Sequence, residues 1–174
     1  RSDPRLVLRE RTNLRHLSPD DLYGPEDPWP DLAVADVSFI SLTRVLPAIR
    51  NLLLPGAEAV LLVKPQFEVG RGRVGKGGVV RDPTAHGDAL ETVIGSAEAL
   101  GWQLGGALAS PITGPAGNHE YLIWLRPRSS TAEMGPGEDR ASSAGWSRGR
   151  LDDLVASTLG GGGGAARGRK GPAD

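Results

Sequence analysis

The chain has 174 residues, and its 20 Lys and Arg side chains nearly balance 21 Asp and Glu, for a formal net charge of −1. This balance excludes a uniformly basic protein, so any surface for nucleic acid must be local. No cysteine is present, which excludes disulfides and zinc–thiolate sites and favours a reducing, cytoplasmic compartment, and no apolar run is long enough to span a membrane.

The first part of the chain contains two short strand patterns and one helix start. The apolar run at residues 6–8 predicts a strand. The sequence SPDD at 18–21 predicts a helix N-terminus, because a hydroxyl cap, a proline in the first turn and acidic side chains all suit the positive end of a helix dipole. A proline-rich loop follows, and residues 31–36 form the next predicted strand.

The middle of the chain alternates helices with strands. Apolar positions spaced three and four residues apart predict a helix at 41–54, although Pro47 lies inside it. Residues 57–64 are apolar almost throughout and close on a lysine, a pattern typical of a strand buried on both faces. The later elements are a helix at 82–100 and strands at 103–109 and 120–125.

This order of elements predicts an α/β domain over residues 1–126. Strands separated by helices at this spacing indicate a mainly parallel sheet, and we expect the last strand to be antiparallel. The composition changes after residue 126. Residues 127–174 are rich in Gly, Ser and Ala, so we expect a disordered, low-complexity tail in which 150–159 can form one short helix.

A basic, glycine-rich loop follows the strand at 57–64, in the sequence VLLVKPQFEVGRGRVGKGGVVRD. It fits G-x-G-x-x-G and nearly fits the phosphate-binding loop of NTPases. The NTPase motif requires Ser or Thr after its lysine to bind magnesium, and here Gly77 follows Lys76. Both motifs need a strand directly before the glycines and a helix directly after them, and this sequence predicts neither. The loop is therefore either a mobile surface segment or a phosphate contact made by Arg71, Arg73 and Lys76.

Three ionisable residues lie at the ends of predicted strands. Asp36 and Lys64 close two strands, and Glu120 opens the last strong one. Ligands bind beyond the carboxyl ends of parallel strands, and an antiparallel last strand begins at that same edge, so we expect the three residues to converge. A lysine held between carboxylates can assist removal of a proton from a poor nucleophile such as a sugar hydroxyl. For each residue alone, the simpler interpretation is a solvated side chain at an element boundary.

Four segments carry a family resemblance and occur in the right order within residues 1–126. They are ERTNLRHL at 10–17, DVSFISL at 36–42, LLVKPQFEVGRGRVGKGGVVRDP at 61–83 and SPITGPAGNHEYL at 110–122. Together they resemble the TlyA family, hemolysin-labelled proteins among the FtsJ-like ribosomal RNA 2′-O-methyltransferases. The resemblance implies an incomplete class I, Rossmann-like domain that uses S-adenosylmethionine and acts on ribose hydroxyls of ribosomal RNA, with cytidine as the expected nucleotide.

The resemblance also implies roles for particular residues. FtsJ-type enzymes use a Lys-Asp-Lys-Glu tetrad, and Asp36, Lys64 and Glu120 match its last three members. Asn13 would lie near the adenine of the cofactor, with Glu10 as a second contact. The first tetrad lysine, the glycine-rich cofactor loop and a small RNA-binding domain have no match in this sequence, so we expect them upstream and expect impaired activity without them.

Two further expectations complete the sequence interpretation. No metal is required, and the three histidines have no metal-like spacing. The alternative to an enzyme is a catalytically inactive RNA-binding or hemolysin-like module that uses the basic loop without chemistry. The target nucleotide, the ribosomal subunit and the oligomeric state are not specified by the sequence.

Overall fold

The computed structural model describes residue 3, residues 6–128 and residues 146–160. Numbered in chain order, the strands are β1 Leu32–Ala35, β2 Glu58–Val63, β3 Trp102–Ala109 and β4 Tyr121–Pro127. The α-helices are α1 Pro19–Leu22, α2 Leu46–Asn51, α3 Pro65–Glu68, α4 Pro83–Ala99 and α5 Arg148–Gly160. Short 3-10 turns occur at Leu14–His16, Leu42–Arg44, Arg71–Arg73 and Lys76–Gly78.

The four strands form one sheet in the order β1-β2-β4-β3. β1 and β2 are parallel, whereas β4 is antiparallel to both β2 and β3. The predicted α/β class and the antiparallel last strand are confirmed. The described sheet is mixed, however, because one of its three pairings is parallel and two are antiparallel. Parallel pairing of consecutive strands requires a crossover connection, usually a helix. The connection from β3 to β4 consists of turns without a helix, so these two strands pair antiparallel.

One face of the sheet carries the hydrophobic core. Ala59, Leu61 and Val63 of β2 are fully buried, and they join Leu90 of α4 and Val155 of α5 in one apolar cluster. Burial of each Leu or Val contributes about 1.5–3 kcal/mol. The alternate residues of β2 are only half-buried. The expectation of a strand buried on both faces is therefore wrong for β2 in the described chain.

The helix predicted at 41–54 is split into two parts. A 3-10 turn at Leu42–Arg44 precedes α2, which has Pro47 in its first turn. Proline lacks an N–H, and its ring clashes with the carbonyl four residues earlier in a helix, so an α-helix accepts it only in the first turn. The α-helix therefore begins later than the apolar spacing alone predicted.

The strand predicted at residues 6–8 is absent. These residues have no regular secondary structure, and Leu6 and Val7 are 59% and 69% exposed. The described sheet contains no strand paired with them. An apolar triplet becomes a strand only when neighbouring backbone accepts its hydrogen bonds, so the prediction was wrong for lack of a partner.

Both predicted helix starts are confirmed at hydrogen-bond level. The Asp21 carboxylate accepts from the N–H and the hydroxyl of Ser18, at 2.8 Å and 2.7 Å, at the start of α1. The Asp82 carboxylate accepts from the N–H of Thr84 at 3.0 Å, at the start of α4. These bonds satisfy donors that a helix N-terminus leaves unpaired.

Helix α5 lies in the region predicted to be a low-complexity tail. The short helix expected at 150–159 is confirmed, and its residues Leu151 and Val155 are buried in the core. Their i, i+4 spacing places both on one helical face. The expectation of disorder is therefore wrong for 146–160, because this segment has an apolar face to bury. The rest of the predicted tail, 129–145 and 161–174, lies outside the described residues.

Candidate functional site

The ends of three strands meet at one edge of the sheet. Asp36 follows β1, Lys64 follows β2, and Glu120 precedes β4. The register sets Val63 of β2 opposite Tyr121 of β4, so the antiparallel strand begins where β2 ends. The structure thus brings the three sequence-predicted residues to a common edge.

Lys64 is held by two side chains of the loop after β1. Its Nζ lies 2.6 Å from Oδ1 of Asp36 and donates to Oγ of Ser38 at 3.0 Å. The lysine side chain is 12% exposed. A charged group that is this well buried needs a paired charge and a hydrogen bond, and this site provides both. Ser38 was missed by the sequence interpretation, although it lies inside the quoted DVSFISL segment.

Glu120 joins the same edge through a different neighbour. Its side chain is 7% exposed, and Oε1 accepts from Nε2 of Gln66 at 3.1 Å. Among the described residues the salt bridge of Lys64 is to Asp36 rather than to Glu120. A Cβ at Gly114 would lie 2.7 Å from Oε1 of Glu120, so the carboxylate occupies space that only glycine leaves open.

The side-chain oxygen of Gln66 differs from its nitrogen in its hydrogen bonding. Gln66 Oε1 is buried and has no hydrogen-bond partner in the part of the chain that the structure describes. Buried polar atoms are almost always hydrogen-bonded. An acceptor next to Glu120 is therefore open to a donor from outside the described residues.

An exposed aromatic ring lies in the loop that holds Lys64. Phe39 has a φ of 64° and is 91% exposed, and its ring centroid lies 5.3 Å from that of Phe67. Phe39 directly follows Ser38, the hydrogen-bond acceptor of Lys64. A left-handed conformation costs about 1–3 kcal/mol for a residue other than glycine. Sequence reasoning missed Phe39, because neither its backbone angle nor its exposure can be derived from composition or spacing.

Glu68 fixes the loop that carries Phe39. Its carboxylate accepts from Oγ of Ser41 at 2.6 Å and from the N–H of Leu42 at 2.8 Å. Burial raises the pKa of Glu68 above its ordinary value, while these two hydrogen bonds oppose the rise. Glu68 is the last residue of α3, the short helix that begins directly after Lys64 and contains Gln66. The hydrogen bonds of Glu68 therefore connect the loop after β1 to the segment that carries Lys64.

The basic loop contains two 3-10 turns, and Gly77 and Gly78 have φ values of 81° and 79°. These angles favour glycine, since a Cβ would be strained there. Helix α3 lies between β2 and the glycines, and Gly75 is followed by a short 3-10 turn rather than by an α-helix. The rejection of the NTPase and dinucleotide interpretations is consistent with this geometry.

The three basic residues predicted to contact phosphate differ in their surroundings. All three are exposed. Only Arg73 of the three has salt bridges among the described residues, to Asp82 at 3.1 Å and Asp88 at 2.6 Å. The guanidinium holds the pKa of both carboxyls below their ordinary values. Two anionic partners already surround Arg73, so its structural role in anchoring the loop is better supported than a phosphate contact.

The anchoring of Arg73 extends to α5. Asp88 also accepts from Nη2 of Arg148 at 3.0 Å, and Arg148 further pairs with Asp152 at 3.0 Å. Each pair is partly exposed and individually worth little, but a connected network holds its members better than isolated pairs. Helix α5, which the sequence interpretation placed in a tail, is thereby linked to the basic loop.

The predicted cofactor segment adopts a local turn. Oδ1 of Asn13 accepts from the N–H of Arg15 at 3.1 Å, which leaves the amide nitrogen of Asn13 as the group able to reach a ligand. An open cavity of about 430 Å³ adjoins this segment, lined by Arg9, Arg11, Thr12, Asn13, His16, Leu17 and Asp21. Glu10 is exposed and does not line the cavity. Asn13 therefore lines this cavity and Glu10 does not.

The described residues contain neither a metal-binding cluster nor a membrane-spanning helix. Among them, no group of three or more His, Asp or Glu side chains is arranged to hold a metal ion. In the same part of the chain, no helix is both long enough and apolar enough to cross a membrane.

The sequence matches the FtsJ-like methyltransferase family over residues 1–127. TlyA of Mycobacterium tuberculosis, named as a 16S/23S rRNA (cytidine-2′-O)-methyltransferase, is 48% identical over 141 residues, which are 81% of this chain and 51% of that protein. YqxC of Bacillus subtilis, whose name includes rRNA methyltransferase, is 49% identical over 125 residues, 72% of this chain and 43% of that protein. A solved structure of a hemolysin-named protein from Streptococcus thermophilus has a TM-score of 0.72 at 35% identity, over 90% of this chain and 51% of that one.

The chain spans about half the length of these relatives. The family match nevertheless covers well over half of the chain itself, and it contains the strand edge with Asp36, Lys64 and Glu120. With identities close to half over most of its length, the chain belongs to the FtsJ-like methyltransferase family and, within it, to the TlyA proteins.

Proposed function

We propose that this chain forms the catalytic edge of an S-adenosylmethionine-dependent enzyme that methylates the 2′-hydroxyl of a cytidine in ribosomal RNA. The observation that carries the proposal is the placement of Lys64, whose Nζ is held by Asp36 at 2.6 Å at the carboxyl edge of the sheet. The name of the M. tuberculosis relative supports cytidine and ribosomal RNA as the substrate.

The chemistry assigned to Lys64 follows from its ammonium group. A ribose hydroxyl is a poor nucleophile until its proton begins to leave. An ammonium N–H that donates to the hydroxyl oxygen stabilises the negative charge that develops there, and so assists loss of the proton to solvent. Asp36 and Ser38 orient Nζ for this contact. Correct placement of the two reactants supplies much of the remaining rate.

The cofactor, when bound, supplies an electrophilic methyl group for transfer to the ribose oxygen. In this chain, Asn13 is the residue best placed to contact its adenine, through the amide nitrogen that the local turn leaves available. Glu10 remains a second candidate contact. The open acceptor on Gln66, beside Glu120, fits the additional lysine of the tetrad expected from the family resemblance.

The RNA would contact two surfaces. Arg71 and Lys76 are exposed cations that suit phosphates of any sequence. Phe39 offers an exposed ring in the loop that holds Lys64, on which a base turned out of its stack could lie. The strained backbone of Phe39 keeps this ring in solvent, where it buries little surface of its own.

The experiment uses a fusion protein in which this chain is joined to the portion of the M. tuberculosis relative that it does not span. We expect transfer of labelled methyl from S-adenosylmethionine to ribosomal subunits, recovered after digestion as 2′-O-methylcytidine. Asn51→Ala, on the exposed end of α2, serves as a matched control with normal transfer. RNA binding without any methyl transfer in a folded fusion protein would instead favour the inactive RNA-binding module.

A further inference from the structure

We propose that Asn118 is a positioning residue that joins the exit of the basic loop to the catalytic edge at Glu120. Phosphate contact by the loop and placement of Glu120 would then depend on one buried joint. This inference rests on the proposed function for its meaning, but the joint itself can be tested separately.

The side chain of Asn118 binds loop backbone with both ends of its amide. Nδ2 donates to the carbonyl of Gly78 at 2.9 Å, and Oδ1 accepts from the N–H of Val80 at 3.0 Å. Asn118 is 2% exposed, so water cannot replace these bonds. The orientation of the amide follows from its partners, since a carbonyl only accepts and a backbone N–H only donates. Asn118 therefore holds the loop exit in the way that a neighbouring strand would.

A second buried side chain, that of His86, binds the other backbone group of Val80. The carbonyl of Val80 accepts from Nε2 of His86 at 3.0 Å, and Nδ1 of His86 lies 2.9 Å from the hydroxyl of Tyr121. Because Nε2 carries the proton, Nδ1 accepts and the hydroxyl of Tyr121 donates. Both backbone groups of Val80 are thus bound by side chains, from α4 and from the loop before β4. Tyr121 is the immediate neighbour of Glu120.

The backbone of Asn118 supports the other side of the joint. Its carbonyl accepts from the N–H of Gly114 at 2.9 Å, which closes the turn before Glu120. Gly114 packs directly against Oε1 of Glu120, and the carbonyl of Glu120 accepts from the N–H of Ser110 at 2.8 Å. Asn118 therefore touches the turn that borders the catalytic carboxylate with its backbone, and the basic loop with its side chain.

The loop exit depends on this joint because two glycines lie directly before it. Gly77 and Gly78 both have positive φ values and accept a wide range of backbone angles. Val80 is the first buried residue after them. Without the bonds to Asn118, the backbone at Val80 would be less fixed. Lys76 would then be connected to it through two consecutive glycines, and its position would vary.

Two variants of the parent chain test the joint. Asn118→Ala removes both side-chain bonds. Asn118→Asp keeps an acceptor for the N–H of Val80 but sets an oxygen against the carbonyl of Gly78. Val155→Ala is the matched control, because it creates a cavity in the core at α5 and removes none of the hydrogen bonds of the joint.

Three measurements read the joint, and none needs catalytic activity. They are amide exchange at Val80, the side-chain amide resonance of Gln66, which donates to Glu120, and affinity for a short single-stranded RNA at low salt. In Asn118→Ala we expect Val80 exchange to accelerate roughly tenfold or more, the Gln66 resonance to move, and RNA affinity to fall several-fold. Asn118→Asp should show smaller changes of the same kind, and Val155→Ala should show none of them once exchange is corrected for global stability.

The outcomes are distinguishable. Unchanged Val80 exchange and an unchanged Gln66 resonance in Asn118→Ala would overturn the joint; if that variant does not fold, the same two results in Asn118→Asp decide. Changes in both with unaltered RNA affinity would overturn the coupling between loop and carboxylate. A parent chain that binds no RNA would count against the proposed function, while the first two measurements would still judge Asn118.

Discussion

Lys64 and Asp36 form an unequal pair: the lysine side chain is 12% exposed and the aspartate side chain 66% exposed, with 2.6 Å between Nζ and Oδ1. The aspartate therefore keeps most of its hydration, while the lysine depends on its protein partners. Such a lysine is held in one place at the edge of the sheet. This asymmetry makes the nitrogen of Lys64 the group whose removal is most informative.

Replacing Lys64 with Met should separate the nitrogen from the packing of its aliphatic stem. In the fusion protein, we expect Lys64→Met to lower kcat for methyl transfer by a factor on the order of 100 or more, the scale of a lost proton-transfer group. Folding should remain near normal by circular dichroism, since methionine keeps the length of the chain. Asp36→Asn and Glu120→Gln should cost less, because they orient other groups.

Lys76→Met is the matched control for that experiment. It removes the same ammonium from the exposed loop and should raise KM for RNA with little change in kcat. Turnover of Lys64→Met within a few-fold of the parent would remove Lys64 from the mechanism.

The basic residues of the loop should differ in how much they contribute to the salt dependence of RNA binding. Arg71→Ala and Lys76→Ala should each reduce the slope of log affinity for RNA against log salt by roughly 0.7, the value for one lost phosphate contact on a single strand. Arg73→Ala should leave that slope nearly unchanged and instead loosen the loop, because its guanidinium is engaged by Asp82 and Asp88. Binding titrations over a range of salt concentrations decide this, and equal slope changes for all three variants would restore Arg73 as a phosphate contact.

Phe39 should contribute to substrate binding, while its left-handed backbone should lower the folding stability. Phe39→Gly removes a left-handed phenylalanine, so we expect unchanged or slightly higher stability, by up to about 1 kcal/mol. The same change should weaken methyl transfer by roughly five- to 150-fold in the fusion protein, because a base–aromatic stack is worth about 1–3 kcal/mol. Phe39→Tyr keeps the stacking face and should restore most activity. Normal transfer by a stable Phe39→Gly protein would exclude the ring from substrate binding.

The buried His86 should make stability depend on pH. Burial lowers the pKa of His86 below its ordinary 6.5, helped by His119 and opposed by the Val80 carbonyl and Asp82. With the folded-state pKa below the unfolded one, the unfolded state binds the proton first. The stability that neutral His86 contributes is therefore fully present above about pH 6.5 and is lost as pH falls through the folded-state pKa, at no more than about 1.4 kcal/mol per pH unit.

Urea unfolding from pH 7.5 down to pH 5 measures this dependence. His86→Gln should flatten the profile relative to the parent over that range. Tyr121→Phe removes the hydroxyl that His86 accepts from but keeps the ring buried, so it should retain the pH dependence. Parallel profiles for the parent and His86→Gln would show that His86 does not titrate on unfolding.

The sequence by itself determined the order of most elements and which polar residues lie at one edge of the sheet. Helix starts at Ser18 and Asp82 follow from capping chemistry, which acts over a few neighbouring residues and needs no tertiary contact. The convergence of Asp36, Lys64 and Glu120 followed from strand direction alone, because the ends of paired strands share an edge. The family resemblance rested on motifs that the sequence already displays.

Only the tertiary structure decided which polar groups meet and which apolar segments are buried. The run at residues 6–8 has the composition of a strand but lacks a partner, whereas α5 lies in a glycine-rich region yet buries Leu151 and Val155. Arg73 is indistinguishable from Arg71 in the sequence, and only the positions of Asp82 and Asp88 separate them. Burial, hydrogen-bond partners and a left-handed Phe39 are properties of packing between distant segments, so local composition cannot specify them.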